Sequence, residues 1–257
     1  MKNFFKENIK NNKFQLGLWS NLGSEIAADT IGGAGFDWIL LDMEHSANTI
    51  KSVLRQTQAI ESRGKTAVIV RPAWNDPVLI KPLLDNGSNS LIIPMVNTKE
   101  ETHNAVKACL YPPKGIRGVA MSQRGNDYGR VKDYLKFIEE NICLIPQLET
   151  KISIENLSSI ANVEGVSGLF IGPADLSADL GIIGDFDNKD LWNLIEKAVK
   201  EIKFNNKPVG TLIGRKDLVQ RCIDIGFDFV ACGTDSTLLA RSSDDLVETF
   251  KKKKKLK

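Results

Sequence analysis

The 257-residue chain holds two histidines, and only His45 stands where a catalyst could. It follows the apolar run WILLD, with Asp42 and Glu44 just before it. A neighbouring carboxylate orients one ring nitrogen and raises the basicity of the other, which is how a general base is made. The bland reading of His45 is a hydrogen-bonded structural residue, and His103, in a charged helical pattern, fits that reading better. Arg71 closes the run TAVIVR, as a fixed cation for a developing anion or as half of a rim salt bridge. Gln147 and Glu149 end ICLIPQLE, and GLFIG runs into Pro173, Ala174 and Asp175. Glu149 and Asp175 are helix N-terminal carboxylates or, taken together, ligands for a hard cation such as Mg²⁺ or Mn²⁺. In that case waters and substrate oxygens complete the octahedron. The four cysteines are scattered, with no CxxC pair and no His/Cys cluster for zinc. None of these strand-like runs ends in lysine, which disfavours imine chemistry.

These residues need elements to position them. Eight short apolar runs recur: Gln15–Trp19, Trp38–Asp42, Thr66–Arg71, Ser90–Pro94, Ile142–Glu149, Gly168–Gly172, Pro208–Leu212 and Phe227–Cys232. They are near-continuous rather than alternating, as parallel strands covered on both faces should be. Helical patterns separate them, with Ser24, Asn48, Asp76-Pro77, Asn97-Thr98 and Glu149-Thr150 as start signals. The pattern predicts further helices over Lys189–Asn205, Lys216–Gly226 and Thr237–Lys252. Residues 111–141, rich in Gly, Arg and Pro, form a long connection of the kind that carries function. Eight strand–helix units in this length predict an α/β protein with a (β/α)8 TIM barrel. An open doubly wound sheet is the rival, but no GxGxxG follows the first strand. Barrel chemistry collects at the C-terminal ends of strands. Trp19, Asp42, His45, Arg71, Gln147, Glu149 and the Gly172–Asp175 turn all fall there. The strand starts carry Asp37, Lys65, Ser90, Asn141 and Lys207, read as solvated residues.

Composition sets outer limits. There are 34 basic and 32 acidic residues, but six lysines crowd the last seven positions, leaving a slightly acidic body. That body offers no basic face for a nucleic acid, and the lysines read as a solvated end. No run of about 18 apolar residues spans a membrane, and the N-terminus carries no signal-peptide pattern. A cytoplasmic protein is expected, with one domain over residues 1–250 and a Lys-rich tail over 251–257.

GLWS (17–20), LDMEHS (41–46), VRP (70–72), LLDNG (83–87), YPPKGIRG (111–118), PQLET (146–150) and IGPADLS (171–177) follow one another in order. In these motifs the chain resembles the HpcH/HpaI aldolase family, from about Phe14 to Phe250. The resemblance implies a barrel of the phosphoenolpyruvate/pyruvate superfamily whose last helix packs on a neighbouring subunit. It implies a homohexamer, a trimer of dimers. It also implies a class II aldolase, an aldehyde-lyase using Mg²⁺, Mn²⁺ or Co²⁺ and no organic cofactor. The expected reaction is reversible cleavage of a 4-hydroxy-2-oxo acid to pyruvate and an aldehyde. Carried over by motif, Glu149 and Asp175 hold the metal, and Gln147, Gly172, Pro173 and Ala174 bind substrate. His45 is the base with Asp42 beside it, Asp85 raises its basicity, and Arg71 stabilises the enolate. The aldehyde tail falls near Trp19, Leu212 and the 116–130 loop, where Arg117, Arg124 and Arg130 are candidates for a distal carboxylate or for a subunit contact. A malyl-CoA or citryl-CoA lyase relative and a non-catalytic keto-acid-binding barrel are the alternatives.

Overall fold

The computed structural model describes residues 2–254. Eight parallel strands close into a barrel in sequence order. They are β1 (Gln15–Ser20), β2 (Trp38–Asp42), β3 (Ala67–Arg71), β4 (Ser90–Ile93), β5 (Cys143–Leu148), β6 (Leu169–Ile171), β7 (Val209–Leu212) and β8 (Phe229–Thr234). All eight runs read from the sequence are strands.

Period-two alternation divides each strand between two cores. Trp19, Trp38, Leu40, Ile69, Ile92, Ile145, Phe170 and Phe229 point inward and fill the barrel. Leu18, Ile39, Leu41, Val70, Leu91, Leu144, Leu169 and Val230 point outward, against the helices. Gly17 and Gly210 occupy inward positions because a methyl at either would overlap the ring of Trp38 or Phe229. The same parity carries Asp42, Arg71, Gln147 and Glu149 into the uppermost inward layer. The fold thus fixes which strand-end residues face the mouth.

The opposite end is plugged by α1 (Phe4–Lys10), a helix absent from the sequence reading. Phe5 and Ile9 join the interior core, and Phe5 meets Phe229 edge-on at 5.5 Å. Asn3 caps the helix and donates to Ser90 Oγ (2.9 Å) and to the Asn141 carbonyl (2.9 Å). Ser90 is therefore a buried anchor rather than a solvated strand start.

The outer helices follow the expected order: α2 (Glu25–Gly32), α3 (Ile50–Arg63), α4 (Pro77–Asp85), α5 (Lys99–Cys109). Ser24, Asp76 and Thr98 cap α2, α4 and α5. α3 differs: Thr49 is its cap, in a capping box with Ser52. Asn48 turns inward instead and donates to the Asp42 carbonyl at 2.7 Å. The long connection is not a plain loop. It holds a 3-10 turn over Arg124–Gly129 and α6 (Tyr134–Asn141), packed on Tyr111. The stretch after β5 breaks at Asn156 into α7 (Lys151–Glu155) and α8 (Leu157–Ala161), and α9 (Pro173–Asp179) follows β6 directly. α10 (Lys189–Phe204) and α11 (Lys216–Asp224) lead to α12 (Asp235–Lys254).

α12 takes in the first lysines of the expected tail, and residues 255–257 lie outside the described residues. Leu238, Leu239, Leu246, Val247 and Phe250 leave it half or more exposed. Among the described residues no helix is long and apolar enough to cross a membrane.

If α1 is a true part of the core, Phe5→Ala should cost about 3–5 kcal/mol. Urea denaturation would measure it, and a loss below about 1 kcal/mol would show that the plug is dispensable.

Candidate active site

β2 and β3 pair in a register that sets Asp42 beside Arg71. The two form a fork: Nε to Oδ1 and Nη2 to Oδ2, both 2.8 Å. Both side chains are buried, and such a paired, bidentate geometry is what makes a buried ion pair tolerable. The third face of the guanidinium is also occupied. Nη1 lies 2.9 Å from Glu44 Oε2 and donates to Gln147 Oε1 at 3.5 Å. The Trp19 ring lies beneath, with its centroid 4.9 Å from Cζ. Burial pushes the Asp42 carboxyl up, but the hydrogen bonds and charge of Arg71 outweigh it and hold it below the usual aspartate range.

Glu149, one residue past β5, is buried to 2% exposure. Its Oε2 accepts from the Met95 N–H (2.8 Å) and its Oε1 from Gln147 Nε2 (2.6 Å). Met95 adopts a left-handed φ of 51°, a cost that a non-glycine residue bears only where the surroundings impose it. Here it aims the N–H at the carboxylate. Gly172 is required opposite, since a Cβ there would come within 2.7 Å of Glu149 Oε1. Burial first, then the negative charges of Asp175 and Glu44, raise the Glu149 carboxyl to about 8. Burial likewise raises Glu44. Asp175, in the first turn of α9, completes an acidic face that Arg71 alone does not balance.

That donor set suits a hard divalent cation. Among the described residues no three His, Cys, Asp or Glu side chains converge as a cage. Glu149 and Asp175 would leave further positions to water and substrate oxygens, the pattern Mg²⁺ favours.

The mouth opens into a cavity of about 890 Å³. Trp19, Asp42, His45, Arg71, Gln147, Glu149, Gly172, Pro173, Ala174, Asp175 and Leu212 all line it. His45 is largely solvent-facing, with Nε2 3.8 Å from Glu44 Oε2. The neighbouring carboxylate is thus Glu44, because Asp42 is committed to Arg71. Asp85 is not brought to the cavity within the chain. It ends α4, which runs from the mouth back towards the closed end, and it pairs with Arg117 at 2.8 Å. Arg124 pairs with Glu61 and Arg130 with Asp127. None of the three loop arginines lines the cavity.

Sequence reasoning passed over Asn21, which lines the cavity with its side-chain oxygen buried and unpaired. Its position two residues after Trp19 in the inward series was the available signal. Arg215, Lys216 and Arg241 on the outer rim were also missed, and lie beyond the strand ends that the search followed.

A closed parallel barrel with a buried arginine and paired carboxylates at its C-terminal mouth is the architecture of a (β/α)8 enzyme. More narrowly, the chain belongs to the HpcH/HpaI aldolase/citrate lyase family, whose model matches residues 15–242. It is 45% identical over 257 residues to a 4-hydroxy-2-oxo-heptane-1,7-dioate aldolase of Salmonella paratyphi B, covering 100% of this chain and 97% of the relative. A crystal structure of a family member from Burkholderia cenocepacia J2315 superposes with a TM-score of 0.94 at 30% identity, covering 97% of this chain and all of that one. An HpcH/HpaI aldolase from Desulfitobacterium hafniense DCB-2 follows at 0.87 and 26%, with 96% of each chain covered.

Asp42→Asn removes the countercharge of a buried guanidinium and should destabilise the protein by about 3–5 kcal/mol near neutral pH. Because the folded pKa of Asp42 is depressed, its contribution is complete above the unfolded value of 3.8 and fades as pH falls below it. Urea unfolding of both proteins across pH 3–7 should show the gap narrowing in acid. A gap constant with pH would mean that the carboxylate charge is not what holds Arg71.

Proposed function

We propose that this mouth carries out the reversible retro-aldol cleavage of a 4-hydroxy-2-oxo acid to pyruvate and an aldehyde. Aldolase activity, a carbon–carbon lyase reaction, follows from family membership and from full-length similarity to a curated aldolase. The single observation that carries the site assignment is the meeting of Glu149, Asp175 and Arg71 at one cavity. A divalent cation held by Glu149 and Asp175 (Mg²⁺, Mn²⁺ or Co²⁺) would supply Lewis acidity to the 2-oxo acid.

The chain's own residues account for the rest. The Ala174 and Asp175 N–H groups open α9 without helical acceptors, and with Gly172 and Pro173 they form a seat for the substrate carboxylate. Gln147, pinned between Arg71 and Glu149, reaches the same oxygens. Arg71 presents a charge already desolvated and oriented to the oxygen on which negative charge grows, so it needs no reorganisation. His45 takes the proton of the C4 hydroxyl on cleavage and returns it on condensation. Trp19 and Leu212 wall the space for the aldehyde. Asp85 serves His45 only if it comes from another copy, since its own helix carries it away. The four cysteines are free thiols, in keeping with a cytoplasmic enzyme.

The apolar stripe of α12 supports a homo-oligomer in which this helix covers a neighbouring barrel, as in a hexamer. Replacing Leu246 and Val247 by aspartate should lower the mass seen by light scattering. An unchanged mass would remove this support.

Exchange of the pyruvate methyl protons for deuterium, followed by NMR, tests the chemistry without knowledge of the aldehyde. It should require added Mg²⁺ or Mn²⁺ and disappear in Glu149→Gln and Asp175→Asn. Arg71→Ala should slow turnover about 10²–10³-fold, and His45→Ala about 10²–10⁴-fold with pyruvate binding retained. Exchange that persists in EDTA would overturn the cation assignment.

A further inference from the structure

α3 turns the residues Val53, Gln56, Thr57 and Ile60 to the interior. Gln56 is wholly buried, in a seam where an aliphatic side chain would pack without hydrogen-bonding demands. Its Nε2 donates to Asn48 Oδ1 (2.6 Å) and to the Ser52 carbonyl (3.1 Å), and Oε1 lies 3.3 Å from Ser20 Oγ. The single Ser20 hydroxyl proton goes to Asp235 Oδ2 at 2.7 Å, so Gln56 and Asp235 flank Ser20 from two sides. Asp235, also buried, accepts from the N–H groups of Asn21 (2.8 Å) and Ser236 (2.7 Å) at the start of α12. In the other direction Asn48 Nδ2 donates to the Asp42 carbonyl at 2.7 Å, where Ser46 Oγ also donates.

The two ends of this network meet the same object. Asp42 grips the Arg71 guanidinium and Trp19, next to Ser20, lies beneath it. We propose that Gln56 and Asp235 are positioning residues that fix the Arg71 guanidinium, Gln56 by bracing Asn48 against the Asp42 carbonyl and Asp235 by holding the Ser20 hydroxyl and the Asn21 N–H beside Trp19. Neither touches the cavity contents as proposed above. They act on the reaction through Arg71, and they tie the seating of α12 to the active site. This rests on Arg71 serving the aldol reaction, but the placement itself is independent of that reading.

Gln56→Met keeps volume, chain shape and helix propensity while removing the hydrogen bonds of the amide. In the full-length, metal-supplemented enzyme its kcat should fall about 10²-fold, the loss that small misplacement of a catalytic group brings. KM for the oxo acid should stay within about twofold of the wild type. A general loss of structure would act in any background, so the deciding comparison is made in Arg71→Lys. There Gln56→Met should have little further effect, because the group it positions is already changed. Hydrogen–deuterium exchange should rise in segments 20–22 and 42–49 of Gln56→Met, and Asp235→Asn should raise it in the same segments.

An unchanged kcat in Gln56→Met, or an equal loss with Arg71 and with Lys at position 71, would overturn the proposal. So would exchange that rises over the whole barrel rather than in those segments. If the wild type itself cleaved no oxo acid, the functional reading would fail, and the exchange pattern would still decide the positioning role.

Discussion

A guanidinium held beneath the mouth of the barrel is the constraint around which the upper layer is arranged. A charge of that kind is expensive to remove from water and is tolerated where countercharge and good hydrogen-bond geometry compensate it. Arg71 has this compensation from Asp42 hydrogen-bonded to two nitrogens, Gln147 hydrogen-bonded to the third with Glu44 in ion-pair contact, and Trp19 beneath. Each partner is then fixed in turn: Gln147 reaches Glu149, Glu149 needs glycine at 172 and a left-handed Met95, and Asp42 needs its carbonyl bound by Asn48. The geometry of the mouth follows from satisfying one buried cation.

The electrostatic balance runs the other way at the cavity wall. Asp42 and Glu44 pair with Arg71, so Glu149 and Asp175 share the cavity wall and, among the described residues, neither has a cation in ion-pair contact. The rise of Glu149 to about 8 measures how poorly burial and like charges suit an ionised carboxylate there. A divalent ion held by Glu149 and Asp175, as proposed above, would relieve that repulsion and leave positions open for oxygen ligands from a substrate. In the proposed reaction the built-in charge of Arg71 would stabilise the developing anion and a bound cation would polarise the oxo group.

Much of this was legible before the fold was known. Near-continuous apolar runs gave all eight strands, and the rule that barrel chemistry lies at strand C-terminal ends gathered ten lining residues, with Leu212 added by the family resemblance. What escaped depended on contacts between distant segments. Asp42 looked like the partner of His45, three residues on, but strand register gives it to Arg71 from the next strand. Asn48 had the residue type of a cap, yet the cap belongs to Thr49, and Asn48 serves the network below. Asp85 was carried over by motif, and the direction of α4 takes it to the other end of the barrel. α1 carried only Phe4, Phe5 and Ile9 in seven residues, too little periodicity to announce a helix.

That short plug has a consequence for how the molecule is made. Phe5 rests on Phe229, so α1, made before β1, finds its place only when β8 has been synthesised. Until then, a phenylalanine and an isoleucine destined for the dry interior remain without cover, and the ring of strands stays open beside them. Contacts of such large sequence separation slow folding and lengthen the exposure of sticky surface. α1 therefore depends on protection until β8 arrives. It also lies at the end of the barrel farthest from the chemistry.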